Sequence, residues 1–310
     1  MKALVGYTGF VGSNLDGETF FEGRYNSRNI QEAYGTNPDL LVYAGLPAEK
    51  YLANRFPEQD KAKILQAEDN IRKIAPQKLV LISTIDVFQN PVDVDEDSVI
   101  DVNGLQTYGL HRYLLEQWVQ DHYPDALIIR LPALFGKNLK KNFIYDYINQ
   151  IPFALQAQKF AELSQKDNAL QRCYALKENG FYQCIVTDKG ERKLLRKKFE
   201  TLQFSALNFT DSRSTYQFYP LSRLWKDICT ALEKNLRLFH PATEPISAHD
   251  LYFYLKNEEF LNEINDTPAC YDYHTKYASL FNRDGPYIMN YIEVMQTIKA
   301  FVLEMERENK

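Results

Sequence analysis

The four residues Lys2-Ala3-Leu4-Val5 run directly into Gly6-Tyr7-Thr8-Gly9-Phe10-Val11-Gly12, and no other stretch constrains the fold as much. A short apolar strand that opens into a glycine-rich turn and then a helix leaves the helix's first N–H groups without partners. Those donors, reinforced by the positive end of the helix dipole, make a cradle for a pyrophosphate. Small residues are needed because backbone must approach the anion closely and the helix must pack against the strand. The turn therefore predicts a dinucleotide floor built from Gly6, Thr8, Gly9, Phe10, Val11 and Gly12.

Beyond the turn the chain alternates strand and helix. Leu40–Ala44, Leu79–Ser83 and Ala126–Arg130 are short continuous apolar runs, the pattern of strands covered on both faces. Asp60–Ile74 and Tyr108–His122 between them show helical periodicity. The expectation is an α/β fold with a doubly wound parallel sheet, which places ligands beyond the carboxyl ends of its strands. Ala44, Gly45, Ser83, Thr84 and Pro132 fall at or just after those ends.

The character changes after Asn142. A helical stretch over 143–163 is broken by Pro152, and 173–186 reads as a hairpin around Glu178-Asn179-Gly180. A basic amphipathic helix covers 191–202, with a solvated face favoured over an anionic partner. A strand and helix come next over 216–238, and a last helix over 289–307. This divides the chain into 1–145, a dinucleotide-binding domain, and 146–310, a smaller α+β substrate-side domain with some segments returning to the first.

Composition narrows the function. The net charge is −5, which argues against nucleic acid, since phosphate contacts need a basic surface. No apolar run approaches the roughly 20 residues that span a bilayer, and the short N-terminal apolar run does not read as a secretory signal. Cys173, Cys184, Cys229 and Cys270 are read as structural thiols in a reducing cytoplasm. Cys270 and His274 lack a second ligand pair, so no metal is expected.

The chemistry-bearing residues lie at two strand ends and on one helix. Near Arg24–Arg28 no carboxylate is present to bind a ribose diol, whereas Asn26, Ser27 and Arg28 suit a 2′-phosphate. This favours NADP over NAD, although Arg28 also reads as a plain surface arginine. Thr84 is placed to polarise a substrate oxygen, and Ser83 to touch the cofactor. Tyr108 and Arg112 stand one helical turn apart, so a phenol and a fixed cation share a face. A phenol of pKa about 10 works near neutrality only when cations stabilise its anion, which is the role read for Arg112.

On the strings GYTGFVGSNL, PDLLVYAG, LVLISTIDVF, TYGLHRYLLEQ and IIRLPALFGKNLKKNF, the first 145 or so residues resemble the extended short-chain dehydrogenase/reductases, the nucleotide-sugar epimerases, dehydratases and reductases. The dTDP-4-dehydrorhamnose reductase-like members are the most similar. The resemblance implies a Rossmann fold and a Thr84/Tyr108 catalytic pair. It further implies cofactor contacts from the glycine turn, Ala44-Gly45 and Leu131, a sugar-nucleotide contact at Asn142, and homodimerisation through the tyrosine helix.

One departure bears on catalysis. Arg112 stands where such enzymes carry lysine. Arginine keeps the charge and can still reach a nicotinamide ribose, but its pKa above about 12 prevents proton relay. His111 is read either as a substitute relay or as an exposed helix histidine. Two functions therefore stay open: an NAD(P)-dependent oxidoreductase acting on a nucleotide sugar, or a catalytically impaired NAD(P)-binding protein with a sensor or assembly role.

Overall fold

The computed structural model describes residues 1–308. The chain folds into two compact units. The first comprises Met1–Asn138, Tyr216–Ile246 and Cys270–Val294; the second comprises Leu139–Thr215, Ser247–Ala269 and the residues from Met295 onward.

The first unit is organised by a six-stranded parallel sheet. Its strands are β1 (Lys2–Val5), β2 (Gly23–Tyr25), β3 (Leu40–Tyr43), β4 (Leu79–Thr84), β5 (Leu127–Leu131) and the two-residue strand Leu238–Phe239. Across the sheet they run Leu238–Phe239, β5, β4, β3, β1, β2. Chain order reverses at β1, which has β2 on one side and β3 on the other. That is a doubly wound Rossmann-type sheet, and its switch point opens a crevice between the ends of β1 and β3.

The apolar runs form strands because both of their faces are covered. Successive side chains point to opposite faces, so each run feeds two cores. Ala3, Val5, Leu41, Tyr43, Leu79, Leu81 and Ile128 pack with Ile64, Ile71 and Ile74 of α3 (Pro57–Ile74) and with Leu115 and Val119 of α4 (Thr107–His122). Leu4, Val42, Val80, Leu127 and Ile129 pack on the other face with Leu15 of α1 (Phe10–Glu18) and with Leu224, Ile228 and Ala231 of the helix Leu224–Glu233. Helix α2 (Lys50–Arg55) leads into α3, which starts with Pro57 in its first turn.

In the second unit the strands Ala154–Gln156, Phe181–Cys184 and Tyr174–Leu176 form an antiparallel sheet with Phe181–Cys184 in the centre. The hairpin turns at Gly180, whose φ of 81° belongs to the left-handed region. Leu155, Phe160, Leu163, Leu195 and Phe199 make a separate core there. The basic helix Lys189–Thr201 uses much of its charge internally. Arg192 donates to the Val186 carbonyl, Arg196 to the Ile148 carbonyl, and Lys198 pairs with Asp167 at 2.6 Å. None of the four cysteines is in a disulfide. No helix among the described residues is long and apolar enough to cross a membrane.

Candidate active site

The crevice at the switch point is a cleft of about 410 Å³. Its floor is the glycine turn: Gly6, Thr8 and Gly9 line it, with Ala44 and Gly45 from the end of β3 and Asn26 and Ser27 from the end of β2. Gly6 has φ of +91°, and a Cβ there would lie 2.4 Å from the Ala44 carbonyl oxygen, so no other residue fits. Helix α1 starts at Gly9, whose N-cap position supplies no side-chain acceptor, and no acidic residue occupies the first turn. Its leading N–H groups are thus left for an anion. A Cβ on Gly9 would meet only the Gly6 carbonyl oxygen, at 3.2 Å, and Gly9 lines the cleft, so a larger side chain has open space there. A dinucleotide pyrophosphate fits this cradle.

Other residues assigned to the cofactor are placed differently. Phe10 and Val11 turn their side chains onto the core, leaving backbone at the turn. Gly12 packs the helix on the turn, since a Cβ there would stand 2.1 Å from the Gly6 carbonyl oxygen. Arg28 is exposed and does not line the cleft; its N–H is held by the Asn26 side chain at 2.9 Å. Leu131 is buried at the end of β5 among core side chains. Ser83, expected at the cofactor, spends its hydroxyl within the protein. Its hydroxyl donates to buried Glu116, which is also gripped by Arg130.

The second half of the site forms where β4 ends. The Thr84 hydroxyl oxygen accepts from the Asp86 N–H at 3.2 Å, capping the turn Ile85–Val87. Helix α4 docks against that turn at Gly109, where a Cβ would lie 2.1 Å from the Asp86 carbonyl oxygen. This docking brings the hydroxyls of Thr84 and Tyr108 close enough for the threonine to lower the phenol's pKa. One turn on, the Arg112 guanidinium carbon stands 4.3 Å from the centre of the Tyr108 ring.

Arg112 is itself held. Its Nη1 donates to Asp60 Oδ2 at 2.5 Å and its Nη2 to the Pro47 carbonyl at 2.7 Å. His111 Nδ1 lies 2.9 Å from the same Asp60 oxygen. Asp60, His111 and Arg112 are 4%, 9% and 3% exposed. The reading of His111 as an exposed helix residue is therefore wrong. The ring is buried against a carboxylate that secures the arginine, because both residues share the inner face of α4.

These surroundings set the acidity of Tyr108. Burial pushes its pKa up, Arg112 and the neighbouring Thr84 hydroxyl pull it down, and the Asp86 and Asp60 carboxylates push it up again. The balance is upward, so in this state burial outweighs the cation and Tyr108 is held as a neutral phenol. Asp86 also takes Lys50 Nζ and the Tyr271 hydroxyl, both at 3.0 Å, and Tyr271 is pushed up by burial and then by that carboxylate.

Neither Asp60 nor Asp86 was legible as a site residue. Asp60 does leave one trace in the sequence: it occupies the apolar stripe Asp60, Ile64, Ala67, Ile71, Ile74 of α3, where a carboxylate needs a buried partner. Asn142 lies in the second unit, with φ of 107° and its side chain accepting from the Tyr145 N–H at 3.1 Å to cap the helix Phe143–Asn149.

Compared as a sequence, the chain matches no family model and no curated protein. Compared as a structure, it is similar to dTDP-4-dehydrorhamnose reductase from Yersinia enterocolitica, with TM-score 0.63 and 14% identity over 98% of this chain and 99% of that one. The chain has the fold of these enzymes. UDP-glucose 4-epimerase from Thermotoga maritima, solved with UDP-glucose, matches with TM-score 0.65 and 12% identity over the full length of both chains. RMD from Pseudomonas aeruginosa, solved with NADPH, matches with TM-score 0.64 and 14% identity over 99% of this chain and 98% of that one. The fold is thus that of the extended short-chain dehydrogenase/reductases, as the sequence resemblance implied.

Proposed function

We propose that the protein is an NAD(P)-dependent oxidoreductase of a nucleotide sugar, working in the cytoplasm and preferring NADP(H). The observation that carries this is Arg112 over the ring of Tyr108 with Thr84 beside the phenol, in the same unit as a glycine cradle fitted to a pyrophosphate. The similar structures solved with NADPH and with UDP-glucose support the ligand classes. Gly6, Thr8, Gly9, Ala44 and Gly45 would hold the dinucleotide; Asn142 is assigned to the sugar nucleotide on the sequence resemblance alone.

A bound nicotinamide supplies the hydride. Tyr108, kept protonated, donates its proton to the oxygen of a keto-sugar as the carbon beneath it is reduced, and Thr84 holds that oxygen by a hydrogen bond. Arg112 lies over the phenol and stabilises the phenolate left behind, which solvent then reprotonates. A neutral phenol in the resting state suits reduction, because the proton is already in place. The test is oxidation of NADPH followed by absorbance, over a panel of nucleotide 4-keto-sugars. Turnover supports the reading.

One observation favours a second reading. Both terminal nitrogens of Arg112 are bound to Asp60 and Pro47, which limits what remains for a cofactor ribose. A protein that binds the dinucleotide and turns over no substrate in the panel would fit that alternative.

A further inference from the structure

The cleft has a wall that the sequence pattern concealed. Lys63, Gln66, Ala67 and Asn70 of α3 lie on one helical face and line it together with Asn26 and Ser27. Asn70 is engaged by the hydroxyls of Tyr34, at 2.8 Å, and Tyr43, at 3.3 Å. Lys63 is exposed and makes no ion pair among the described residues. Among the described residues it is the one charged group lining the cleft; no aspartate or glutamate does so.

We propose that Lys63 binds the 2′-phosphate of NADP(H) and is the residue that sets cofactor preference, in place of Arg28. This rests on the nicotinamide-dinucleotide reading above. The adenosine ribose is reached from two sides, by the end of β2 and by α3. A ribose diol is recognised by a carboxylate at the end of the second strand. Here that end offers Asn26 and Ser27, and the facing helix offers an ammonium. An ammonium on a flexible stem is a point charge suited to phosphate, and it needs no bidentate geometry. Arg28 lies outside the lining, with its backbone N–H held by the Asn26 side chain.

The experiment is fluorescence titration of the full chain with NADPH and NADH, in parental protein and in Lys63→Ala, Lys63→Glu and Arg28→Ala. One charge-assisted hydrogen bond corresponds to about tenfold in affinity. NADPH is therefore expected to bind parental protein about tenfold more tightly than NADH. Lys63→Ala removes the difference by weakening NADPH alone, Lys63→Glu reverses it, and Arg28→Ala leaves it. Equal affinities in parental protein, or a difference that survives Lys63→Ala and disappears in Arg28→Ala, overturn the assignment while leaving the dinucleotide reading in place. Failure of both cofactors to bind overturns the two together. Lys63 is exposed on a helix surface, so its variants keep the fold, and thermal unfolding at the parental temperature confirms it.

Discussion

The guanidinium of Arg112 lies over the ring of Tyr108, 4.3 Å from its centre, and is pinned there from behind by Asp60. A cation over a phenol favours the phenolate. The same burial that brings the two together disfavours it. Protonation of Tyr108 is thus set by three elements: α4 for the ring and the cation, α3 for the carboxylate, and the turn after β4 for Thr84 and Asp86.

Tyr108→Phe removes the proton and little else. Turnover on the active keto-sugar nucleotide should fall by about 10²–10⁴, the usual worth of a positioned general acid. NADPH binding, measured by fluorescence, should be unchanged. Parental turnover in this variant would make Tyr108 a packing residue.

Asp86→Asn should move the alkaline limb of the pH–rate profile to lower pH. The Asp86 carboxylate raises the Tyr108 pKa, so its neutralisation lowers that pKa. Reduction needs the protonated phenol, and activity is then lost at a lower pH than in parental protein. A limb that stays in place would take Asp86 out of the electrostatics of the site.

Asp60→Asn leaves the buried Arg112 cation without its counter-charge. Breaking a buried pair in this way costs about 3–5 kcal/mol, visible as a lowered denaturation midpoint in urea. Arg112→Lys keeps the charge but cannot reach Asp60 and Pro47 together as the planar fork does. It should lose less stability and retain turnover within about tenfold, since one pKa unit on Tyr108 is ~1.4 kcal/mol.

Gly9→Val and Gly109→Ala should fail in opposite ways. A side chain at Gly9 projects into the cleft, so cofactor binding should vanish while the fold survives. A methyl at Gly109 meets the Asp86 carbonyl, and overpacking of this kind costs about 1–3 kcal/mol. Thermal unfolding and cofactor titration of both variants separate the two effects.

His240 gives the protein an acid-side weakness. The ring is fully buried, Nδ1 lies 3.2 Å from the His274 carbonyl and Nε2 lies 3.3 Å from Arg130, and burial together with that cation lowers its pKa to about 3. Above about pH 6.5 the ring is neutral both folded and unfolded. Below it the unfolded chain takes up a proton that the folded chain refuses, so this residue lowers stability by about 1.4 kcal/mol per pH unit towards pH 3. The melting temperature should fall over that window, and His240→Gln should remove this residue's share of the slope.

Much of the first unit was legible because its information is local. Leu40–Tyr43, Leu79–Thr84 and Leu127–Leu131 are strands where the apolar runs stand, and the glycine turn lies at the switch point. Thr84 and Tyr108 could be singled out because a strand end and a helix face each carry a period. Asp60 and Asp86 were hidden because their contacts come from residues distant in sequence: Asp60 meets Arg112 from 52 residues away. The strand Leu238–Phe239 has two residues, too few for any pattern, and is specified by its partner Ile128–Ile129. Arg112 lowers the Tyr108 pKa as its spacing implied, and the larger opposing effect of burial was hidden, since adjacency of a cation is visible in a sequence and depth of burial is not.

Pro47 belongs to both halves of the site. It lines the dinucleotide cleft, and its carbonyl oxygen receives Arg112. Any ligand that orders this loop also fixes the acceptor that orients the guanidinium, and by linkage whatever fixes the guanidinium must tighten the ligand by the same factor. Loading of the cleft and readiness of the proton donor are then one equilibrium seen from two ends. Substitutions at Asp60 and in the cleft wall should fail to add, and the size of that shortfall measures how strongly Tyr108 keeps its proton while the cleft is empty.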